Sequence, residues 1–186
     1  MSTKLKAAFI DRDGVINEER NYVHLIEDFV LLPGIIEGMT MLRDAGYLLI
    51  VVTNQAGIAH GYYDQTAMDH LHTHLRTLLL QDDITLDAIY FCPHHPQGRV
   101  SELAIECNCR KPAPGMLLQA ARDFNLDLNF SVFIGDKLSD VQAGKSAGVG
   151  CTVIVESGHS LEPEARVAAD MVVVDLLAAA RALTHT

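Results

Sequence analysis

A-A-F-I-D-R-D-G-V-I-N, Ala7 to Asn17, is the stretch whose reading decides the fold. Its apolar run, Ala7 to Ile10, is short enough for a buried strand and stops on two aspartates one residue apart. Gly14 follows, where the chain can turn sharply without a Cβ penalty. Side chains alternate along a strand, so Asp11 and Asp13 share one face of the chain. Carboxylates at the C-terminal end of a buried parallel strand stand where open α/β sheets bind ligands. Two carboxylates that close repel each other unless a cation or a shared proton relieves them. Taken alone, the pair is equally compatible with a solvated turn.

The rest of the chain repeats the pattern. Buried strands are expected at Tyr47 to Val52, Ala88 to Phe91, Ser131 to Ile134, Thr152 to Val155 and Met171 to Val174. Helices are expected between them. One opens at Pro33-Gly34, with Ile35, Ile36, Met39 and Leu42 on its apolar face. Another is capped by Asp64 and runs to about Gln81. Three more cover Gly115 to about Phe124, a Ser139-capped segment to about Ala147, and Leu176 to Leu183. Glu18 to Leu32 has no clear period and reads as a flap, and the chain around Gly158 reads as a loop. Such alternation implies a three-layer α/β fold, a Rossmann-like parallel sheet with helices on both faces. Without repeats or linkers, residues 1–186 are expected to form a single domain.

The bulk numbers bound the function. A chain of 186 residues with 49% hydrophobic and 20% charged residues can bury a proper core. Its formal net charge of −10, from 24 acidic and 14 basic residues, argues against a nucleic-acid binder. No apolar run approaches the roughly 20 residues of a membrane span. The first residues do not read as a signal peptide. A cytoplasmic address is therefore expected, where four cysteines are metal ligands or free thiols and not disulfides.

Several strands end in residues able to handle a phosphate and a cation: Asp11 and Asp13, then Thr53-Asn54, then Asp136 with Asp140 one turn on. A parallel sheet brings these ends to one edge, and Lys111 stands just before a helix start. Asp-x-Asp-Gly, Thr-Asn, a later Lys and Gly-Asp-x-x-x-Asp, in this order, resemble the haloacid dehalogenase-like phosphatase superfamily over nearly the whole chain. F-I-D-R-D-G-V-I-N, Y-V-H at Tyr22 to His24, V-V-T-N-Q-A-G-I-A, Y-F-C-P-H-H-P-Q-G and C-N-C-R-K-P-x-P-G-M narrow the resemblance. They point to its zinc-containing sugar-bisphosphate phosphatases, which lack a large cap.

That resemblance implies Mg²⁺-dependent removal of the C7 phosphate of a heptose 1,7-bisphosphate, on the way to ADP- or GDP-activated heptose for lipopolysaccharide core or a related glycan. It makes Asp11 the nucleophile that forms an aspartyl-phosphate, and Asp13 the general acid and base. Thr53 and Lys111 would stabilise the phosphoryl oxygens. Mg²⁺ would be held by Asp11, the backbone carbonyl of Asp13 and Asp136, with Asp140 orienting its neighbours. Substrate contacts are implied for Glu19, Arg20, Asn21, Tyr22, Asn54, Gln55, Ala56, Arg110 and Lys137. Arg110 would take the distal phosphate, for which a guanidinium fork is suited. Lys137 has a second reading as the charge that balances Asp136. Two positions depart from the family pattern: Asn21 where glycine is frequent, and Ala56 where serine is.

Cys92-x-His94 and Cys107-x-Cys109 offer three thiolates and an imidazole, a tetrahedral zinc set. His95 rivals His94 on spacing alone, and the resemblance favours His94. Four protein ligands close a zinc site, so this one, in the loop from 92 to 109, is expected to be structural. Cys151 reads as core. His70, His72 and His74 read as exposed or half-buried helix residues, and His60, His159 and His185 as loop or tail.

The partner implied is a small sugar phosphate, with no nucleic acid or membrane, met by a monomer. Histidinol-phosphate phosphatase shares the architecture and a similar zinc loop, and is the nearest enzymatic alternative. A non-catalytic phosphate-binding module is the alternative of another class.

Overall fold

The computed structural model describes residues 4–184. Six strands, β1 (Lys6–Ile10), β2 (Tyr47–Asn54), β3 (Ala88–Cys92), β4 (Val132–Gly135), β5 (Cys151–Val155) and β6 (Met171–Val173), form one sheet in the order β3-β2-β1-β4-β5-β6. Every neighbouring pair is parallel. Between and after the strands lie α1 (Ile35–Asp44), α2 (Ala56–Ala59), α3 (Gln65–Leu80), α4 (Gly115–Asp123), α5 (Leu138–Ala147), α6 (Pro163–Ala168) and α7 (Leu176–Thr184).

The period of two along each strand decides which helices cover which face. In β1, Ala8 and Ile10 pack with Ile35, Met39 and Leu42 of α1, Leu71 and Leu75 of α3, and Leu176 of α7. Ala7 and Phe9 face the other way, toward Met116, Leu117 and Ala120 of α4 and Ala143 of α5. Both faces of β1 are therefore fully buried, which explains why it reads as an unbroken apolar run.

The elements match the expected order, with three local differences. Ser139 does not cap α5: the N-cap is Lys137, and Asp140 at the third helical position accepts from its backbone N–H. The helix starts at Leu138, so Ser139 lies within its first turn, and the buried, charged Asp140 takes the free N–H groups instead. The loop around Gly158 continues into a six-residue helix, α6, that starts with Pro163 at its first position. A short helix, α2, follows Gln55 directly.

The flap is tied at its base, where Glu18 N donates to Val30 O at 2.9 Å and Asn17 bridges to Leu31. Within it, Ile26–Asp28 forms one 3₁₀ turn. Asn21 and Tyr22 both adopt left-handed backbone, with φ of 56° and 60°. Asparagine tolerates that region better than other residues with a side chain, so the departure from glycine at Asn21 preserves the turn.

Candidate active site

Strand order reverses around β1. The chain moves outward from it through β2 to β3, then crosses back to pair β4 with its other edge. The crevice at the C-terminal ends of β1 and β4 is where such a sheet opens to a ligand. A cleft of about 380 Å³ lies there, lined by residues from the loops after β1, β2, β4 and β5, from the flap and from the segment before α4.

At the base of the cleft the charges are buried, and one lysine meets two aspartates. Lys111 is 4% exposed. Its Nζ lies 2.9 Å from Asp11 Oδ1 and 2.7 Å from Asp140 Oδ1, and donates to Val52 O at 3.0 Å. Burial opposes the Lys111 charge, but Asp11 and Asp140 outweigh it and hold the ammonium above its ordinary pKa. Burial pushes Asp11 the other way, up to about 6, against the pull of Lys111. Asp140 uses its second oxygen to accept from the backbone N–H groups of Asp136 (3.2 Å) and Lys137 (3.0 Å). Asp11, Asp136 and Asp140 each bring a carboxylate oxygen within 4.8 Å of the others.

Asp13 shares the cleft but not these partners. Arg12, wholly buried, folds back to give its carboxylate three short hydrogen bonds, from Nε at 3.1 Å and from Nη2 at 2.9 Å to each oxygen. Asn17 Nδ2 and Gln55 Nε2 each add one at 3.0 Å. Burial raises the Asp13 pKa, yet Arg12 and these donors together leave it below the ordinary carboxylate value. Arg12 is itself held by Val23 O at 2.9 Å, Met68 Sδ and His72 Nε2. His72 is therefore neither exposed nor half-buried: it is 7% exposed, and burial with Arg12 beside it lowers its pKa to about 3.

The positions implied for substrate divide into three groups. Glu19, Asn21, Tyr22, Ala56, Arg110 and Lys137 line the cleft. Asn54 and Gln55 line it too, but their amides are already engaged. Asn54 clamps the Lys111 backbone by donating to its carbonyl (3.1 Å) and accepting from its N–H (3.0 Å). Gln55 donates to Asp13 and to Thr53 Oγ1 (2.8 Å), and accepts from the Tyr63 hydroxyl (2.7 Å). Arg20 stands apart: its guanidinium turns away from the cleft onto Glu18 at 2.6 Å, on the surface. Lys137 makes no ion pair with Asp136 among the described residues; that carboxylate goes to His159 instead.

Two residues of the cleft escaped the sequence reading. Tyr63 stacks on His24 of the flap, with ring centroids 4.6 Å apart. His159, read as a loop histidine, places Nδ1 2.7 Å from Asp136 Oδ2. No spacing rule reaches either one: Tyr63 enters from the loop between α2 and α3, and His159 from the loop after β5. His185 lies outside the described residues.

A second cluster adjoins the first. Cys92 ends β3, where it pairs with Asn54 across the sheet. Its Sγ lies 3.5 Å from Cys107 Sγ and 3.2 Å from Cys109 Sγ, and those two are 3.2 Å apart. His94 Nδ1 completes the group at 3.4 Å from Cys109 Sγ and 3.7 Å from Cys92 Sγ. The edges of a tetrahedral zinc–thiolate site are about 3.8 Å, so these four atoms have the compactness such an ion requires. His95 points elsewhere, its Nδ1 accepting from Gln97 N at 3.1 Å while the ring lines the cleft. Arg110 Nη1 reaches back to His94 O at 3.4 Å, tying the cluster to the segment that carries Lys111. Cys151, outside this group, packs against the core.

Comparison with known proteins agrees with this geometry. A family model described as HAD-hydrolase-like matches residues 108–180. The chain is 45% identical over 176 residues to the D-glycero-beta-D-manno-heptose-1,7-bisphosphate 7-phosphatase of Escherichia coli K12, which covers 95% of this chain and 92% of that protein. It is 46% identical over 156 residues to the D-glycero-alpha-D-manno-heptose-1,7-bisphosphate 7-phosphatase of Photorhabdus laumondii, covering 84% and 85%. Among solved structures, the D,D-heptose 1,7-bisphosphate phosphatase from B. bronchiseptica, complexed with magnesium and phosphate, matches with a TM-score of 0.84. That match has 31% identity and spans 97% of this chain and 99% of that one.

Proposed function

Because the chain belongs to the D-glycero-D-manno-heptose-1,7-bisphosphate 7-phosphatase family of haloacid dehalogenase-like hydrolases, we propose that it releases the C7 phosphate of such a heptose bisphosphate. The observation that carries the reading is the convergence of Asp11, Asp13, Thr53 and Lys111 on one cleft. The heptose 1-phosphate left behind is the form that nucleotide activation, in an ADP- or GDP-heptose route, would consume. The relatives are named for different anomers at nearly equal identity, and the C7 phosphate is common to both.

The donor sets fit the two metals. Asp136 Oδ1 is buried without a hydrogen-bond partner, a state that favours a cation beside it. Three clustered carboxylates suit a hard ion such as Mg²⁺, which would be held by Asp11 and Asp136 with the carbonyl of Asp13. When bound, Mg²⁺ neutralises charge on the phosphoryl oxygens and between the aspartates. The three thiols and one imidazole suit a structural Zn²⁺.

Asp11 attacks the C7 phosphorus, forming its P–O bond as the bond to the sugar oxygen breaks, and Asp13 gives that oxygen a proton. Water then attacks the aspartyl-phosphate while Asp13 takes a proton from it, so that the P–O bond to Asp11 breaks, phosphate leaves and Asp11 is restored. Arg12 and Gln55 hold Asp13 in line, and an arriving anionic phosphate raises its proton affinity. Lys111 and Thr53 hold the phosphoryl oxygens. Arg110, Lys137 and the flap residues Glu19, Asn21 and Tyr22 enclose the sugar and its distal phosphate. The net charge of −10 supports a free small molecule as substrate over nucleic acid.

The test is phosphate release with Mg²⁺ on both anomers of the bisphosphate, histidinol phosphate and common sugar phosphates. A preference for a heptose bisphosphate is expected. A strong preference for histidinol phosphate would overturn the substrate assignment while leaving the chemistry intact.

A further inference from the structure

Asp136 is gripped by the loop after β5. His159 donates to its Oδ2 twice, from the backbone N–H at 3.0 Å and from Nδ1 at 2.7 Å. A carboxylate only accepts, so Nδ1 carries a proton, and Nε2 is left toward the flap, 3.8 Å from Glu19 Oε2. The same loop is stitched to the turn after β1: Ser157 Oγ donates to Gly14 O at 2.9 Å. Gly158 approaches so closely that a Cβ there would lie 2.1 Å from Asp136 Oδ2. One oxygen of Asp136 is therefore doubly bonded and enclosed. The other, Oδ1, is buried with no partner.

We infer that His159 is a positioning residue for the cation site, occupying Oδ2 of Asp136 so that Oδ1 stays turned to the metal. This rests on the reading of Asp136 as a metal ligand. A carboxylate's last torsion is soft, and the backbone N–H alone does not fix the plane of the group. The imidazole supplies the second point. Histidines and carboxylates that orient metal ligands in this way are typically worth about 10–100-fold in metal affinity.

The test uses Mn²⁺ as a paramagnetic probe without substrate, free ion being counted by its resonance signal. His159→Phe keeps the ring and removes the donor; it should weaken Mn²⁺ binding about 10–100-fold. His159→Asn, whose amide can donate from nearly the same place, should recover most of that loss. Wild-type affinity in a folded His159→Phe protein would overturn the inference, as would a failure of Asn to do better than Phe. If the Phe variant does not fold, His159→Ala takes its place with the same expectation. Asp136→Asn separates the two levels of argument: binding there as tight as wild type, or no binding by wild type, would overturn the metal-site reading as well.

Discussion

The cleft and the cysteine cluster lie side by side and are built in opposite ways. The cleft is assembled by the sheet: Asp11, Thr53 and Asp136 stand at the ends of three buried strands whose register brings them together. The cluster takes one ligand from a strand, Cys92, and the other three from a stretch with no regular structure. In the cleft, hydrophobic burial of strands and helices already holds the geometry. In the loop it cannot, and a metal held by the cluster would supply what packing does not. Apparent binding energies of about 10–16 kcal/mol for structural zinc in small peptides are of sufficient size. What links the two is Lys111, which follows Cys109 and Arg110 in the chain and reaches into the charge cluster.

The contrast can be broken at its centre first. Asp11→Asn should leave the fold intact and cut phosphate release by about 10⁴-fold or more, since it removes the proposed nucleophile. Unchanged turnover would exclude the aspartyl-phosphate route. Removing zinc, by chelation or Cys109→Ser, should lower turnover about 10²-fold through a displaced Lys111. Mn²⁺ affinity should hardly change. A folded, zinc-free protein with full activity would show the two regions to be uncoupled.

The coupling sharpens at Asn54, whose amide grips the Lys111 backbone from the sheet side. Asn54→Ala alone should cost about tenfold in kcat, roughly one buried hydrogen bond. In zinc-free protein its effect should be larger, because the lysine would then have lost both supports. Purely additive losses, measured as a double-mutant cycle, would argue against a shared role.

The smallest effect concerns the floor under Asp13. His72 is neutral in the folded state, its pKa of about 3 lying below the ordinary 6.5. Its contribution to stability is thus present above pH 6.5 and is lost as pH falls toward 3. By pH 5.5 the loss is about 1.4 kcal/mol. Denaturant titrations of wild type and His72→Gln across that range should differ in slope; parallel curves would show that the imidazole does not titrate against Arg12.

Much of this was legible in the chain. Buried parallel strands announce themselves as apolar runs, and residues immediately after them must gather at one sheet edge. Asp11, Thr53 and Asp136 stand at such strand ends in the structure, and Asp64 caps α3 by accepting from Ala67 N at 2.8 Å, as expected. The paired Cys-x-His and Cys-x-Cys segments were equally plain. What escaped lies in contacts between loops. His159 and Tyr63 have no neighbour in sequence that betrays them. Arg12, between two aspartates, has no position of its own in the motif, yet it is wholly buried. It is buried because Asp13, Val23 O and His72 leave its guanidinium little need of water. Arg20 differs in the opposite sense, its charge being answered two residues away by Glu18.

Around Asp136 the backbone itself sets a length limit. A Cβ added at Gly14 would lie 2.4 Å from Oδ2, and one at Gly158 closer still. The aspartate is already in contact with bare main chain on two sides. A glutamate at position 136 would need room for one more methylene where none exists, so keeping the charge would not keep the fit. The tolerance of this position to substitution is therefore governed by reach as much as by acidity. The same geometry asks that both flanking residues have no side chain at all, and Gly14 is held to glycine a second time by its φ of +84°.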